Sequence, residues 1–102
     1  MATTTSKALF RGAATTTTTT TLYTVPAATT AVVTNIAVTN TGGSAYTFTL
    51  TLDGVDLHTT TAIAANTTVY IDCKQVLTTG KLLKGGASNV AVNFHISGVE
   101  IA

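Results

Sequence analysis

Tyr46-Thr-Phe-Thr-Leu-Thr-Leu52 alternates without a break: Tyr46, Phe48, Leu50 and Leu52 are apolar, and Thr47, Thr49 and Thr51 between them carry hydroxyls. Side chains repeat every second residue in an extended chain and every 3.6 residues in a helix, so only a strand gathers all four apolar groups on one face. Val90-Ala-Val-Asn-Phe-His-Ile96 has the same form, with Val90, Val92, Phe94 and Ile96 directed inward and Asn93 and His95 outward. Val69, Ile71 and Cys73 oppose Tyr70 and Asp72 in a third strand, and Val32, Thr34, Ile36 and Val38 mark a fourth.

Working outward, turn signals separate these runs: Val25-Pro26, Thr41-Gly-Gly-Ser44, Asp53-Gly54, Ala65-Asn66, Thr79-Gly80, Gly85-Gly86 and Gly98. Each supplies a residue that tolerates positive φ or fixes a bend. Thr41-Gly42-Gly43-Ser44 reads as a hairpin connection, and Asp53-Gly54 as a type I′ turn between Leu52 and Val55. No segment shows a helical period. The predicted fold is all-β, an antiparallel β-sandwich or jelly-roll-like barrel of about seven or eight short strands with an extended N-terminal arm.

The predicted division is an arm over residues 1–21 and a β-sandwich domain over residues 22–102. The arm ends in the threonine run Thr15 to Thr21, which favours extended backbone and cannot bury a core. Leu9, Phe10 and Arg11 are its large side chains, read either as a short strand or as an anchor docking elsewhere, against the alternative of a loose terminus.

Composition narrows the function. The chain has 102 residues, the size of one domain. Charged residues make up 9% of it and the net charge is +1, the reverse of a disordered, solvating chain. Lys7, Arg11, Lys74, Lys81 and Lys84 form no run, which argues against nucleic acid as a partner. About a quarter of the residues are threonine, giving a sheet an uncharged, wettable face that pairs readily with a neighbour. No apolar stretch reaches the ~20 residues that cross a bilayer, and no signal-peptide layout opens the chain. The expectation is a chain made in a cytoplasm, with no membrane partner. The single Cys73 leaves no internal disulfide and no Cys-based metal framework, and is expected to be a small buried residue.

Candidate reactive groups are few: His58, His95, Cys73, Asp53, Asp56, Asp72 and Glu100. Their spacing matches no nucleophile–base–orienter set, no zinc-binding helix pattern and no phosphate loop. Asp53-Gly-Val-Asp56 lacks the further acidic positions of a calcium loop. His58 is expected to be solvated, and Tyr46 to belong to the core. No enzyme activity, cofactor or metal is expected. The candidate interface residues are Leu9, Phe10, Arg11, Asn93 and His95.

Leu22-Tyr-Thr-Val-Pro-Ala27, Thr34-Asn-Ile36, Val38-Thr-Asn-Thr41 and Phe48-Thr-Leu-Thr-Leu-Asp-Gly54 resemble a module of small virion proteins of tailed bacteriophages. The resemblance continues through Ile63-Ala-Ala-Asn-Thr-Thr68, Gln75-Val-Leu-Thr-Thr-Gly80 and Phe94-His-Ile-Ser-Gly-Val-Glu100. Such modules look like capsid decoration (cement) proteins, head fibres and tail-associated β-domains. The resemblance implies a homotrimer on the virion surface, with the major capsid protein as partner, and carries over no catalytic residue.

Two functions follow as expectations. The first is a decoration protein that binds the outer head surface as an oligomer and stabilises the shell, tied down by residues 1–21. The alternative is a receptor- or glycan-binding module of a head or tail fibre, using loops at residues 41–45, 56–62 and 85–89.

Overall fold

The structure, a computed structural model, describes residues 3–102 without the side chain of Cys73, so the expected burial of that side chain lies outside the described residues. It is all-β, with eight strands: β1 (Thr4–Ala13), β2 (Thr21–Thr24), β3 (Thr30–Asn40), β4 (Tyr46–Leu52), β5 (Val55–Ile63), β6 (Thr67–Leu77), β7 (Leu82–Ala87) and β8 (Val92–Ile101). They form two four-stranded antiparallel sheets in the orders β1-β8-β3-β6 and β2-β7-β4-β5.

Of the consecutive connections, only β4 to β5 stays within one sheet. Every other link crosses the sandwich, which is the wiring of a jelly roll. Asp53 and Gly54 make that one hairpin, with φ of 53° and 75°, and Leu52 pairs with Val55. Two positive φ values define the type I′ turn, and glycine accepts its share without a Cβ penalty. Thr41-Gly-Gly-Ser44, expected to be a hairpin, instead carries the chain from β3 in one sheet to β4 in the other. Buried Asn40 holds that corner: its Nδ2 donates to Ser44 O (2.8 Å) and Ile63 O (3.3 Å), and its Oδ1 accepts from Gly42 N (2.9 Å).

The core lies between the sheets. Phe48, Leu50 and Leu52 of β4 face Ile36 and Val38 of β3 and Phe94 and Ile96 of β8 across it. Phe48 and Phe94 meet edge-on, with ring centroids 6.3 Å apart, a favoured aromatic geometry. Tyr46 packs against this core while half-buried.

Three sequence expectations need correction here. Val90 is not in the strand: it sits in the turn before β8 and is 61% exposed. In β3 the buried apolar residues are Ala31 and Val33, then Ile36 and Val38, because a bulge between Val33 and Asn35 reverses the alternation; Val32 and Thr34 therefore face outward. Gly85-Gly86 and Gly98 are strand residues, not turns. Gly86 serves close approach: a Cβ there would collide with the carbonyl oxygen of Thr17.

The proposed arm is also corrected. Residues 4–13 pair with β8 along its length, from Thr4 opposite Ile101 to Ala13 opposite Asn93. A bulge between Ala8 and Phe10 puts one extra residue on β1. That extra residue lets the consecutive Leu9 and Phe10 both pack on the core. Thr15 to Thr20 of the threonine run do not extend either; Thr21 opens β2. Thr15 and Thr20 hydroxyls hydrogen-bond each other at 2.6 Å and lie 3.0 and 2.8 Å from Thr17 O, and Thr15 O and Thr20 O accept from Ala87 N and Gly85 N of β7. Threonine hydroxyls thus close a compact loop that carries the chain from one sheet to the other.

Candidate assembly surface

The outer face of the β1-β8-β3-β6 sheet brings together three of the candidate residues. Arg11 on β1 lies opposite His95 on β8, His95 opposite Ala37 on β3, and Ala37 opposite Tyr70 on β6. This row crosses the whole sheet, with neighbouring side chains roughly 5 Å apart. Asn93 stands one row away, between Ala13 and Thr39, and Thr39 in turn bonds Thr68, hydroxyl to hydroxyl, at 3.0 Å. On the other side run Ala8, Ser97, Asn35 and Asp72, then Ser6, Val99, Val32 and Val76.

In these four rows Arg11 and Asp72 carry permanent charge, and Lys74 of β6 stands exposed between the rows of Asp72 and Val76. The rest is hydroxyl, amide, imidazole and small apolar surface, and its largest apolar groups stand proud: Tyr70 is 72% exposed and Val76 63%. An open groove of about 440 Å³ is bordered by Ser6, Lys7, Ala8, Arg11, Thr34, Ser97, Gly98 and Val99. The bulges in β1 and β3 flank β8 there and spread the surface. Such a face can take a partner's protruding side chain.

The other two candidates fall elsewhere. Leu9 is buried and Phe10 half-buried against the protein's own core, so as exposed anchors for a partner both are corrected. What they anchor is β1. His58 is half-buried rather than solvated, its ring 5.4 Å from that of Phe48 and its Nδ1 3.3 Å from Thr61 Oγ1. Among the described residues no three His, Cys, Asp or Glu side chains gather where a metal ion could be held. No helix among them is long and apolar enough to cross a membrane.

Sequence reasoning missed one polar cluster. At the end of the sandwich the Tyr23 hydroxyl of β2 donates to Glu100 Oε2 of β8, and Lys7 Nζ of β1 lies 3.4 Å from both Glu100 oxygens. The Tyr23 hydroxyl, aided by Lys7, holds the Glu100 carboxyl below the ordinary range against the opposing effect of burial. Burial, then the hydrogen bond and charge of Glu100, push the Tyr23 phenol well up. These residues lie far apart in sequence, and only the strand order brings them together.

The architecture defines a small eight-stranded jelly roll with an open sheet face on which charges are few. No protein-family model matches the chain, and no curated protein matches it. Among solved structures it is similar to two of a pentameric capsid protein isolated from metagenomic phage sequences. These are 18% and 19% identical over 97% of this chain, with a TM-score of 0.36 in each case. The chain spans about 60% of the length of those capsid chains. A third similar structure is dimeric latent PorU from Porphyromonas gingivalis, 13% identical, with a TM-score of 0.34, covering 98% of this chain and 10% of that one.

Proposed function

We propose that this protein is a structural protein of a tailed-phage virion, a capsid decoration protein that seats as a homo-oligomer on the outer head surface and stabilises the shell. Its partners are the major capsid protein and further copies of itself, a trimer on the sequence resemblance. It acts by binding, without catalysis or a cofactor. It is made in the host cytoplasm and works on the capsid surface.

The observation that carries this reading is the β1-β8-β3-β6 face, where Arg11, His95, Asn93, Tyr70 and Val76 share one sheet surface with few charges. A face of this kind needs little desolvation of ions to be covered. The jelly roll is a frame used in viral shells as well as in unrelated binding domains, so the fold alone assigns nothing. The case rests on this face together with the sequence resemblance. Because β1 belongs to the protein's own sheet, attachment falls to the face rather than to a free tether. The loop reading of the fibre alternative loses ground, since residues 56–62 lie in β5 and residues 85–87 in β7.

Purified protein added to heads of the phage that encodes it, freed of the endogenous copies, is expected to cosediment saturably and raise the temperature at which the heads release DNA. Failure to bind heads, with binding to host cells instead, would overturn the reading in favour of the fibre module.

A further inference from the structure

The sandwich has four edge strands, and three of them are poor templates for another chain. β2 has four residues; β5 carries two register shifts and Thr60 at a φ of 47°; β1 carries a bulge and ends at Gly12-Ala13. β6 is different. It runs for eleven residues, Thr67–Leu77, holds neither glycine nor proline, and among the described residues pairs with β3 alone, leaving its other edge without a strand partner there. Its outward-facing residues include Tyr70, Asp72, Lys74 and Val76, all exposed.

We propose that β6 is a self-complementary edge through which two copies of this chain join antiparallel about a twofold axis at residue 73. In that register Asp72 lies opposite Lys74 of the second copy and Lys74 opposite Asp72. Tyr70 lies opposite Val76, and Val76 opposite Tyr70. Every exposed charge and every exposed large apolar group of the strand therefore finds a complement, as an isologous contact requires.

The charges select this register. With the axis moved to residue 72, Asp72 faces its own copy; with the axis at residue 74, Lys74 does. Like charges directly opposite destabilise a strand pair and opposite charges support it. Charged side chains on an edge commonly prevent pairing. Here, with opposite signs two residues apart, they discourage other registers and favour one. The axis passes through the point where β6 carries an extra residue relative to β3, between Asp72 and Gln75. The stretch 69–72 of each copy then meets 74–77 of the other.

This joint makes a dimer by itself, and links neighbouring rings where copies are also arranged about a threefold axis. It does not depend on the capsid reading, and its test uses the purified chain alone. Sedimentation over a concentration series is expected to show reversible self-association. Asp72→Lys and Lys74→Asp should each weaken it by about tenfold or more, and the Asp72→Lys/Lys74→Asp double variant should restore it, because the pairing is symmetric under that exchange. In a Cys73→Ser background, Tyr70→Cys with Val76→Cys should form a covalent dimer on oxidation, since the two positions are roughly 20 Å apart along one strand and cannot bridge within a chain. A wild-type chain that stays monomeric up to about 1 mM, single variants without effect, a double variant as weak as the singles, or absence of the covalent dimer would overturn the proposal.

Discussion

The hydroxyl of Tyr23 on β2 donates to the carboxylate of Glu100 on β8, so one hydrogen bond ties the two sheets together at the end where β1 begins. The bond sets a pH dependence whose sign can be worked out. Glu100 titrates below its ordinary value of 4.5 in the folded protein. Its contribution to stability is complete above that value and is lost as pH falls through the lowered one. Tyr23 is shifted upward from an ordinary 10.0, so its contribution is present below pH 10 and lost as pH rises further. Urea unfolding across pH should show both limbs. Tyr23→Phe is expected to lower stability at neutral pH, shrink the acid limb and abolish the alkaline one, whereas Glu100→Gln should abolish the acid limb.

β1 contributes a full ladder and the buried Leu9 side chain, so removing it removes part of the fold. Leu9→Ala is expected to cost about 2–3 kcal/mol in urea unfolding, the low end for a buried leucine because it lies on an edge strand. Deletion of residues 1–13 should cost more and leave β8 as a bare edge, seen as aggregation on heating. An unchanged midpoint for the deletion would mean that β1 is not docked.

Asn40 is fully buried and uses both ends of its amide, donating to two carbonyls and accepting from one N–H. Asn40→Asp keeps the shape but sets an acceptor against Ser44 O and Ile63 O. It should cost at least about 2 kcal/mol. Asn40→Asp as stable as wild type would contradict the assigned network.

Arg11 and His95 are neighbours on the outer face and make no part of the core, so their replacement separates binding from folding. Arg11→Glu with His95→Glu is expected to leave the thermal midpoint within a few degrees of wild type and weaken head binding by about tenfold or more. Thr47→Glu on the opposite sheet provides the control, with binding unchanged.

Much of this fold was legible in the chain, for identifiable reasons. β4 reads directly because its alternation is unbroken, and the Asp53-Gly54 turn because its two positive φ values need that residue pair. Residue period also placed Asn93 and His95 outward and Tyr70 opposite Val69 and Ile71. The bulges were not legible: a single extra residue in β1 or β3 changes which side chains are buried without changing composition. The sheet assignment of Thr41-Gly-Gly-Ser44 was hidden as well, since the same glycines suit a hairpin and a crossing. The run Thr15 to Thr21 misled most, because β-branching favours extension while its hydroxyls close a loop on β7. The Tyr23, Glu100 and Lys7 cluster left no local signal at all.

The most direct measurement is an image of the intact particle at a resolution that traces the chain. The account predicts eight-stranded jelly rolls on the outside of the head, with the Arg11, His95 and Tyr70 face turned onto the major capsid protein. Density for this chain in a tail or head fibre, or on the head with that face open to solvent, would contradict it.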